Sequence, residues 1–347
     1  MARWITRHGS KRTAFQYRDP DGRPVREARV LERIDALRIP PGWNSVHVAL
    51  SERAAIQAWG IDAKGRKQYR YHQRAVKRSE TAKFFRVRAL AKDLPNIRAS
   101  LYRDFCRGDF CREHVLAAVV RLIGDGFFRV GSERYLKENR TFGISTLHKS
   151  HVRVDGPCLI FEYRGKRGID HRQVVVDAEL ALFVAQVMQA PGRRLFRYRE
   201  GADWHDLDAR DVNHYLRKTL GVRYTAKDFR TWGGTLRLAT VLAELGPANS
   251  EREAKRNVVM AVRMVAAELG NTPAVCRKSY VHPIVIARYL DAGDTIARGL
   301  ARVTPQNGVA RHHPEERALL HFLDRHFPER RRKPRPKPKV VEEAAAA

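Results

Sequence analysis

Leu269-Gly-Asn-Thr-Pro-Ala-Val-Cys-Arg-Lys-Ser-Tyr-Val-His-Pro283 is the stretch around which the rest of the chain can be interpreted. Gly270 predicts the end of one helix, because glycine accepts the left-handed backbone that follows helix C-termini. Thr272 and Pro273 predict the start of the next helix, a hydroxyl N-cap followed by proline at the first helical position. Tyr280 comes about two helical turns later, and the final proline breaks the helix beyond it. The stretch therefore predicts a phenol at the end of a short helix.

The whole chain is strongly basic. Lysine and arginine together number 67 against 38 aspartates and glutamates in 347 residues, which gives a net charge of +29 and a pI of about 10.6. This excess is spread along the chain, so it predicts a polyanionic partner, nucleic acid. An anionic membrane surface is the rival partner, but no apolar run approaches the length of a membrane span. The N-terminus also lacks the apolar segment of a signal peptide, so we expect a cytoplasmic protein.

The sequence predicts no cofactor. Its four cysteines, Cys106, Cys111, Cys158 and Cys276, form no C-x-x-C pair and no zinc-ligand spacing. We therefore expect reduced thiols. No cluster of acidic residues predicts a metal site, and no glycine-rich phosphate loop predicts a nucleotide site.

The pattern along the chain predicts an α+β fold in two domains and a tail. Residues 1–75 carry short runs of strand character and predict a small β-rich domain. Residues 76–328 carry long helical patterns and predict a mainly α-helical domain with a small β-hairpin sheet. Residues 329–347 are basic and rich in proline, which predicts a disordered tail.

Individual elements are predicted from periodicity and from glycine and proline. The predicted strands of the first domain are residues 45–50, 54–59 and 67–72. The predicted helices are residues 30–39, 77–94, 113–126, 178–189, 209–220, 227–245 and 251–269. Pro95 predicts the end of the second of these helices. Residues 159–163 and 169–176 predict a β-hairpin around the loop Arg164-Gly-Lys-Arg-Gly168.

Gln68, Tyr69, Arg70 and Tyr71 alternate polar and aromatic side chains on a predicted strand. The two tyrosines lie either on a surface that follows a nucleic-acid groove or on the inner face of a small sheet. Periodicity alone leaves both interpretations open.

Four further positions give Tyr280 a chemical context. Arg129 follows a core helix, Lys166 lies at the hairpin tip, Arg230 lies in the first turn of a helix, and Asn271 adjoins the helix cap. Each has an ordinary explanation by itself: ion pairing, solvation or capping. The order Arg, Lys in a β-hairpin, Lys-x-x-Arg, Gly-Asn-Thr-Pro and Tyr is far more specific than any single member.

With these residues in this order, the sequence resembles the type IB DNA topoisomerases, in particular the compact bacterial and poxvirus-like enzymes. The resemblance covers about residues 39–290. The motifs that carry it are Ile39-Pro-Pro-Gly-Trp43, Asp62-Ala-Lys-Gly-Arg-Lys-Gln-Tyr-Arg-Tyr71, Arg129-Val-Gly-Ser-Glu-Arg-Tyr135, Asn139-Arg-Thr-Phe-Gly-Ile-Ser-Thr-Leu147, Ala226-Lys-Asp-Phe-Arg-Thr-Trp232 and Gly270-Asn-Thr-Pro273.

The resemblance implies a catalytic domain of the tyrosine recombinase/topoisomerase IB type and a role for each position. Tyr280 would attack a DNA phosphodiester and become linked to the 3′-phosphate. Arg129 and Arg230 would stabilise the pentacoordinate transition state, and Lys166 would protonate the departing 5′-oxygen. Asn271 stands where poxviral and nuclear enzymes have a histidine that is hydrogen-bonded to a phosphate oxygen.

The residue types suit this chemistry independently of the resemblance. Two guanidinium groups match the geometry and growing charge of a phosphoryl group. An alkoxide is a poor leaving group, and a lysine can supply its proton. Nearby cations favour the phenolate of Tyr280, the activated nucleophile. An amide can donate a hydrogen bond but cannot move a proton, so Asn271 either binds the phosphate in the transition state or serves mainly as the helix cap.

The resemblance also implies the partner and its contacts. The DNA-binding residues expected from it are Gln68, Tyr69, Tyr71, Tyr135 and Lys227. The partner is duplex DNA, with no membrane and with no metal or ATP needed. We expect a monomer that acts as a clamp in the bacterial nucleoid.

Two other functions stay open. A tyrosine site-specific recombinase shares the chemistry, but it typically carries His-x-x-Arg where this chain has Lys227-x-x-Arg230. A non-catalytic architectural DNA-binding protein would explain the charge, but it would not explain the ordered set of catalytic residue types.

Overall fold

The predicted change from short strands to long helices occurs at Gln73 in the computed structural model, which describes residues 4–10, 12–218, 221, 224–301 and 311–328. The chain forms two units, Met1–Phe84 and Phe85–Ala347. Helix α2 (Gln73–Phe105) begins in the first unit and continues into the second. The predicted disordered tail lies outside the described residues.

The first unit contains a five-stranded antiparallel sheet and one helix, α1 (Ala28–Ala36). The strand order is β2-β1-β3-β4-β5. The strands are β1 (Trp4–Ser10), β2 (Ala14–Arg18), β3 (Asn44–Ala49), β4 (Ile56–Ile61) and β5 (Lys67–Tyr71). The sequence predicted β3, β4, β5 and α1 but missed the first two strands, because their alternation is mostly between polar side chains, with few buried positions.

The two faces of this sheet differ. Ile34 of α1 packs with Ile5, Val46, Val48 and Ala58 of the strands, and these five residues form the core of the unit. The other face is aromatic and partly exposed. The rings of His47 and Trp59 stack with centroids 4.0 Å apart, and Tyr69 and Tyr71 stack at 5.7 Å. Lys67 lies over Trp59, with its Nζ 3.7 Å from the ring centroid.

In the second unit, a mainly helical core is completed by two small sheets. Its helices after α2 are α3 (Arg112–Gly126), α4 (Glu133–Asn139), α5 (Ala178–Val187), α6 (Ala209–Lys218), α7 (Ala226–Leu245), α8 (Glu251–Glu268), α9 (Pro273–Ser279), α10 (Pro283–Ala292), α11 (Ala297–Leu300) and α12 (Pro314–His326). Helix α3 is central, with most of its side chains buried, because its apolar residues surround the helix instead of forming one stripe.

The predicted β-hairpin is confirmed. Strands β7 (Cys158–Arg164) and β8 (Asp170–Val176) pair antiparallel, and β6 (Val152–Asp155) adds a third strand beside β7. A separate two-stranded sheet consists of β9 (Arg197–Glu200) and β10 (Asp203–Asp206). The sequence analysis did not identify β6, β9 or β10, which are four residues each.

The prediction that Pro95 ends a helix is wrong, because α2 continues through it to Phe105. Proline cannot donate the backbone hydrogen bond to the carbonyl four residues earlier, which is that of Ala91. This carbonyl has another partner, the imidazole Nε2 of His312 at 2.7 Å. Leu94 and Ile97, on either side of the proline, are buried in the core of the unit. The replacement hydrogen bond and this packing stabilise the helix across the proline.

No single helix in the described part of the chain is long and apolar enough to cross a membrane. Helices α8 and α9, which meet at a bend of 94°, pass as a pair by length and composition only.

A buried tyrosine joins the helices that carry the 269–283 stretch. Tyr289 of α10 donates its hydroxyl proton to the carbonyl of Gly246 at the end of α7 (2.8 Å). It also accepts a hydrogen bond from the Asn257 amide of α8 (2.9 Å). Tyr289 is 1% exposed, so water cannot replace it in either contact.

We predict that Tyr289→Phe lowers the free energy of unfolding by about 1–3 kcal/mol, since a buried carbonyl and a buried amide each lose a partner. Urea denaturation measures this loss. The control is Tyr71→Phe, in which the same atom is removed from a side chain that is 52% exposed. An equal effect in the two variants would contradict this role of Tyr289.

Candidate active site

The turn between α8 and α9 has the predicted geometry. Gly270 has a φ of +57°, in the left-handed region that glycine favours, just after Leu269 at the C-terminus of α8. Thr272 is the N-cap of α9 and its hydroxyl accepts a hydrogen bond from the Val275 amide (3.4 Å). The cap of α9 is therefore Thr272, which leaves the side chain of Asn271 available for another contact.

Two arginines from different elements donate hydrogen bonds to this turn. Arg129, after α3, donates to the carbonyl of Gly270 (3.0 Å) and to the Asn271 side-chain oxygen (2.7 Å). Arg230, in α7, donates to the carbonyl of Leu269 (2.7 Å) and is 3% exposed. Three consecutive residues of the turn thus accept hydrogen bonds from two guanidinium groups.

These two guanidinium groups have only neutral acceptors in the described part of the chain. Neither Arg129 nor Arg230 forms an ion pair with a described carboxylate. Burial, followed by repulsion from Arg129, lowers the pKa of Arg230 to about 10, and burial also lowers the pKa of Arg129. A bound anion would offset both effects, so the site favours a negatively charged ligand.

Tyr280 lies beside these arginines. It is the residue that ends α9, with its amide bonded to the carbonyl of Cys276 (2.9 Å). The guanidinium carbon of Arg230 lies 5.4 Å from the centroid of the Tyr280 ring. On the same face of α7, Gly234 leaves room for the tyrosine backbone, since a Cβ there would lie 3.0 Å from the Tyr280 carbonyl oxygen. The Thr235 hydroxyl makes a long contact with the same oxygen (3.4 Å).

Asn271 presents an unused donor at this site. Its side-chain oxygen accepts from Arg129, which leaves the NH₂ group as the free part of the amide. That nitrogen is buried and has no hydrogen-bond partner within the described residues. A buried donor without a partner is costly, so a ligand acceptor at this position would be stabilising.

His171 of β8 also belongs to the site, and the sequence analysis missed it. Its Nε2 lies 3.4 Å from Nη1 of Arg129, and its ring stacks on Tyr163 with centroids 5.3 Å apart. Two glycines make room for the ring: a Cβ would lie 2.2 Å from it at Gly165 and 1.7 Å from it at Gly270. The available signal was a histidine at an inward-facing position of an alternating strand.

Burial, together with the positive charges of Arg129 and Arg230, lowers the pKa of His171 to about 4. The imidazole is therefore neutral at pH 7. Because arginine can only donate, Nε2 accepts from Arg129, and the ring proton is on Nδ1. A neutral acceptor orients Arg129 without neutralising its positive charge, which stays available to a bound anion.

Lys166 is in the hairpin loop, as predicted, within a 3₁₀ turn (Lys166–Gly168) that joins β7 to β8. The loop is closed by a hydrogen bond from the Gly165 amide to the carbonyl of Ile169 (2.8 Å). The side chain of Lys166 is exposed and forms no hydrogen bond or ion pair with a described residue. The structure therefore brings Arg129, Arg230, Asn271 and Tyr280 together, whereas no contact joins Lys166 to them.

The residues predicted to bind DNA are mostly exposed. Tyr69 and Tyr71 point outward from the same face of β5, which removes the alternative that they line the inner face of the sheet. Tyr135 of α4 is 53% exposed, and Lys227 near the start of α7 is also exposed. Gln68 lies on the opposite face of β5 and donates to the Asp62 carboxylate (2.9 Å). The DNA contacts of all five residues stay predictions.

No group of three or more His, Cys, Asp or Glu side chains within the described ranges could hold a metal ion. The chemistry available from this site is that of a phenol beside two guanidinium groups, a free amide donor and a neutral imidazole.

Comparison with known proteins gives two matching families. Residues 66–306 match the family "Eukaryotic DNA topoisomerase I, catalytic core", and residues 14–62 match "Bacterial DNA topoisomerase IB, N-terminal domain". DNA topoisomerase 1B of Acanthamoeba polyphaga mimivirus is 33% identical over 268 residues, which cover 75% of this chain and 80% of the viral protein. DNA topoisomerase 1B of vaccinia virus (strain Copenhagen) is 24% identical over 242 residues, 67% of this chain and 72% of the relative.

The neutral state of His171 predicts a pH-dependent stability. Its folded pKa of about 4 lies below its ordinary value of 6.5. The contribution of the neutral His171 imidazole to the free energy of unfolding is therefore complete above pH 6.5 and is lost as the pH falls towards 4. We predict that lowering the pH from 7.5 to 4.5 reduces the free energy of unfolding by about 2 kcal/mol less in His171→Gln than in the unmodified protein. Glutamine keeps a hydrogen-bond acceptor but cannot titrate.

Urea denaturation at the two pH values measures this difference. The matched control is His205→Gln, since His205 is exposed and belongs to the separate two-stranded sheet of β9 and β10. The prediction fails if the His171→Gln and unmodified proteins lose stability in parallel.

Proposed function

The chain belongs to the type IB DNA topoisomerases, and we propose that it relaxes supercoiled duplex DNA through a transient 3′-phosphotyrosyl intermediate formed by Tyr280. The observation that carries the proposal is the pair of guanidinium groups beside this phenol, whose partners among the described residues are all neutral. Arg129 and Arg230 are positioned by the protein before any ligand binds. They are therefore preorganised for the charge that develops on a phosphoryl group, which is the most effective form of electrostatic catalysis.

In the cleavage step, the Tyr280 oxygen forms a bond to phosphorus while the bond from phosphorus to the 5′-oxygen breaks. The phenol loses its proton, and the departing 5′-oxygen gains one and becomes a hydroxyl. The DNA strand with the free 5′-hydroxyl can then rotate about the intact strand. Religation is the reverse reaction, in which the 5′-hydroxyl attacks the phosphotyrosine. The energy of the broken bond is kept in the protein link, so we expect no need for ATP or a metal ion.

Each neighbouring residue then has a proposed role. Arg129 and Arg230 would keep their hydrogen bonds to the turn and direct their remaining N–H groups to the non-bridging phosphate oxygens. The free amide hydrogens of Asn271 would donate to one of these oxygens, a role that needs no proton transfer. Lys166 would approach the 5′-oxygen when DNA is bound and supply its proton. The exposed position of Lys166 on a loop is compatible with such a movement.

We further propose that the second unit has the catalytic fold of tyrosine recombinases and that the chain acts as a monomeric clamp on duplex DNA in the cytoplasm. The net charge of +29 supports extensive phosphate contacts. The exposed rings of Tyr69, Tyr71 and Tyr135, together with Lys227, supply donors for the DNA backbone and grooves. A purely architectural DNA-binding protein would have no use for the buried arginine pair.

We predict that the protein relaxes both positively and negatively supercoiled plasmid in EDTA without nucleotide, and that Tyr280→Phe does not. The variant loses the nucleophilic oxygen but no positive charge, so its DNA affinity should stay within about twofold, because affinity comes mainly from phosphate contacts. Gel assays of relaxation and of DNA binding measure the two properties, and denaturation during the reaction traps the covalent adduct.

The matched control for that experiment is Tyr198→Phe in β9. Its hydroxyl makes no hydrogen bond to a described residue, and the variant should relax DNA normally. Relaxation by Tyr280→Phe would exclude Tyr280 as the nucleophile. A protein that binds plasmid but neither relaxes it nor forms an adduct would be an architectural binder.

We also predict that Lys166→Ala slows cleavage of an ordinary diester by roughly 10²–10⁴-fold, the effect of a positioned proton donor. Replacing the bridging 5′-oxygen by sulfur gives a leaving group that needs little protonation, so the variant should cleave that substrate at nearly the unmodified rate. Arg129→Ala is the comparison, since it should remain slow on both substrates. Single-turnover cleavage rates provide the test, and an equal loss on both substrates would leave Lys166 with DNA binding only.

A further inference from the structure

A cavity of about 660 Å³ lies within the second unit, bounded by α2, α3, α7 and α12. This volume is in the range of small-molecule binding sites. Its apolar wall is formed by Leu101, Val120, Phe127, Phe229, Trp232 and Leu236. None of Arg129, Arg230, Asn271 and Tyr280 lines this cavity, so it is distinct from the site that contains Tyr280.

The charge of this cavity is opposite to that of the chain. Three arginines and five carboxylates line it, a net charge of two negatives in a protein of net charge +29. All three arginines are paired with carboxylates. Arg98 binds Glu316 through two hydrogen bonds (2.7 and 2.8 Å), Arg121 binds Asp177 and Glu179, and Arg237 binds Glu268 (2.9 Å). The lining therefore has no spare cation to attract a phosphate or nucleic acid.

Asp125 and Glu315 are the two lining carboxylates that form no hydrogen bond or ion pair with a residue that the structure describes. Asp125 is the more exposed of the two and adjoins Gly124, which also lines the cavity. Its ionised form, the main one at pH 7.5, would be stabilised by an incoming cation.

Trp232 adds a further aromatic side chain to the same wall. It is 4% exposed, so its indole ring is packed within the lining of the cavity. Near it, the aromatic ring of Phe127 lies against Gly233, where a Cβ would be 2.0 Å from the ring. Aromatic walls beside an unpaired carboxylate suit a flat ligand that carries a positive charge.

We propose that this cavity binds a small organic cation, an aromatic amine whose ammonium group pairs with Asp125 and whose ring packs against the apolar wall beside Trp232. Neutral aromatic molecules would fill the same space without the ion pair. Aromatic carboxylates and phosphates would be repelled by the net negative lining.

Three probes of matched shape test the proposal on the full-length protein at pH 7.5: 2-naphthylmethylamine, 2-naphthalenemethanol and 2-naphthoate. Isothermal titration calorimetry should show that the amine binds about tenfold or more tightly than the alcohol, the effect of one charge-assisted hydrogen bond. The carboxylate should show no binding. Equal affinity of amine and alcohol would overturn the proposal.

Asp125→Asn should abolish the preference for the amine over the alcohol. The control is Asp291→Asn in α10, an exposed carboxylate outside the cavity, which should keep the preference. Loss of the preference in both variants would mean that the amine responds to overall charge and would also overturn the proposal.

Gly124 of α3 allows the cavity to be filled without disrupting the fold. It lines the cavity, and a Cβ at this position meets no heavy atom within 4 Å. Gly124→Phe should therefore fold and exclude both the amine and the alcohol, whereas Gly124→Ala should fold and bind the amine as before. Far-UV circular dichroism and thermal denaturation verify folding. Unchanged amine binding by folded Gly124→Phe would place the ligand elsewhere.

Discussion

Two guanidinium groups bound to three consecutive residues of one turn are the interaction on which the candidate active site depends. Arg129 comes from the end of α3 and Arg230 from α7, while Leu269, Gly270 and Asn271 belong to the α8–α9 turn. Two like charges that approach each other in a partly buried site are unfavourable, and neutral oxygens offset only part of that energy. The surrounding helices must therefore supply the difference through burial of apolar side chains. This arrangement leaves the two positive charges without a negative partner. A bound phosphodiester would supply that negative charge.

Small side chains control the approach of the elements around this turn. Gly270 serves two purposes, because its left-handed backbone ends α8 and its missing Cβ admits the ring of His171. Gly165 makes room on another side of the same ring, and Gly234 lets the Tyr280 backbone approach α7. Gly270 and Gly234 are needed where two segments distant in sequence come into contact, so their role is evident only in three dimensions.

The parts of the fold that the sequence predicted are those that depend on local chemistry. The glycine stop, the threonine cap and the proline start around Asn271 follow from backbone conformations of single residues, and the hairpin that carries Lys166 follows from alternation and glycine. The wrong and missed predictions concern residues whose structure depends on partners distant in the sequence. Pro95 does not end α2, because His312 satisfies the carbonyl that the proline leaves without a donor. His171 was missed because its partner, Arg129, is 42 residues away in the sequence and on another element.

The hydrogen bonds that His312 and the start of α12 make to α2 have a consequence for folding of the protein on the ribosome. His312 binds the Ala91 carbonyl across 221 residues, and Glu316 binds Arg98 across 218 residues. Tyr280 is the last residue in the sequence among those proposed for catalysis. All of them are therefore translated before the segment that contains His312 and Glu316. A nascent chain that already contains the proposed nucleophile still has a proline-interrupted helix without its replacement hydrogen bond. Formation of these long-range contacts, and with them the finished second unit, is coupled to the arrival of the last described helix.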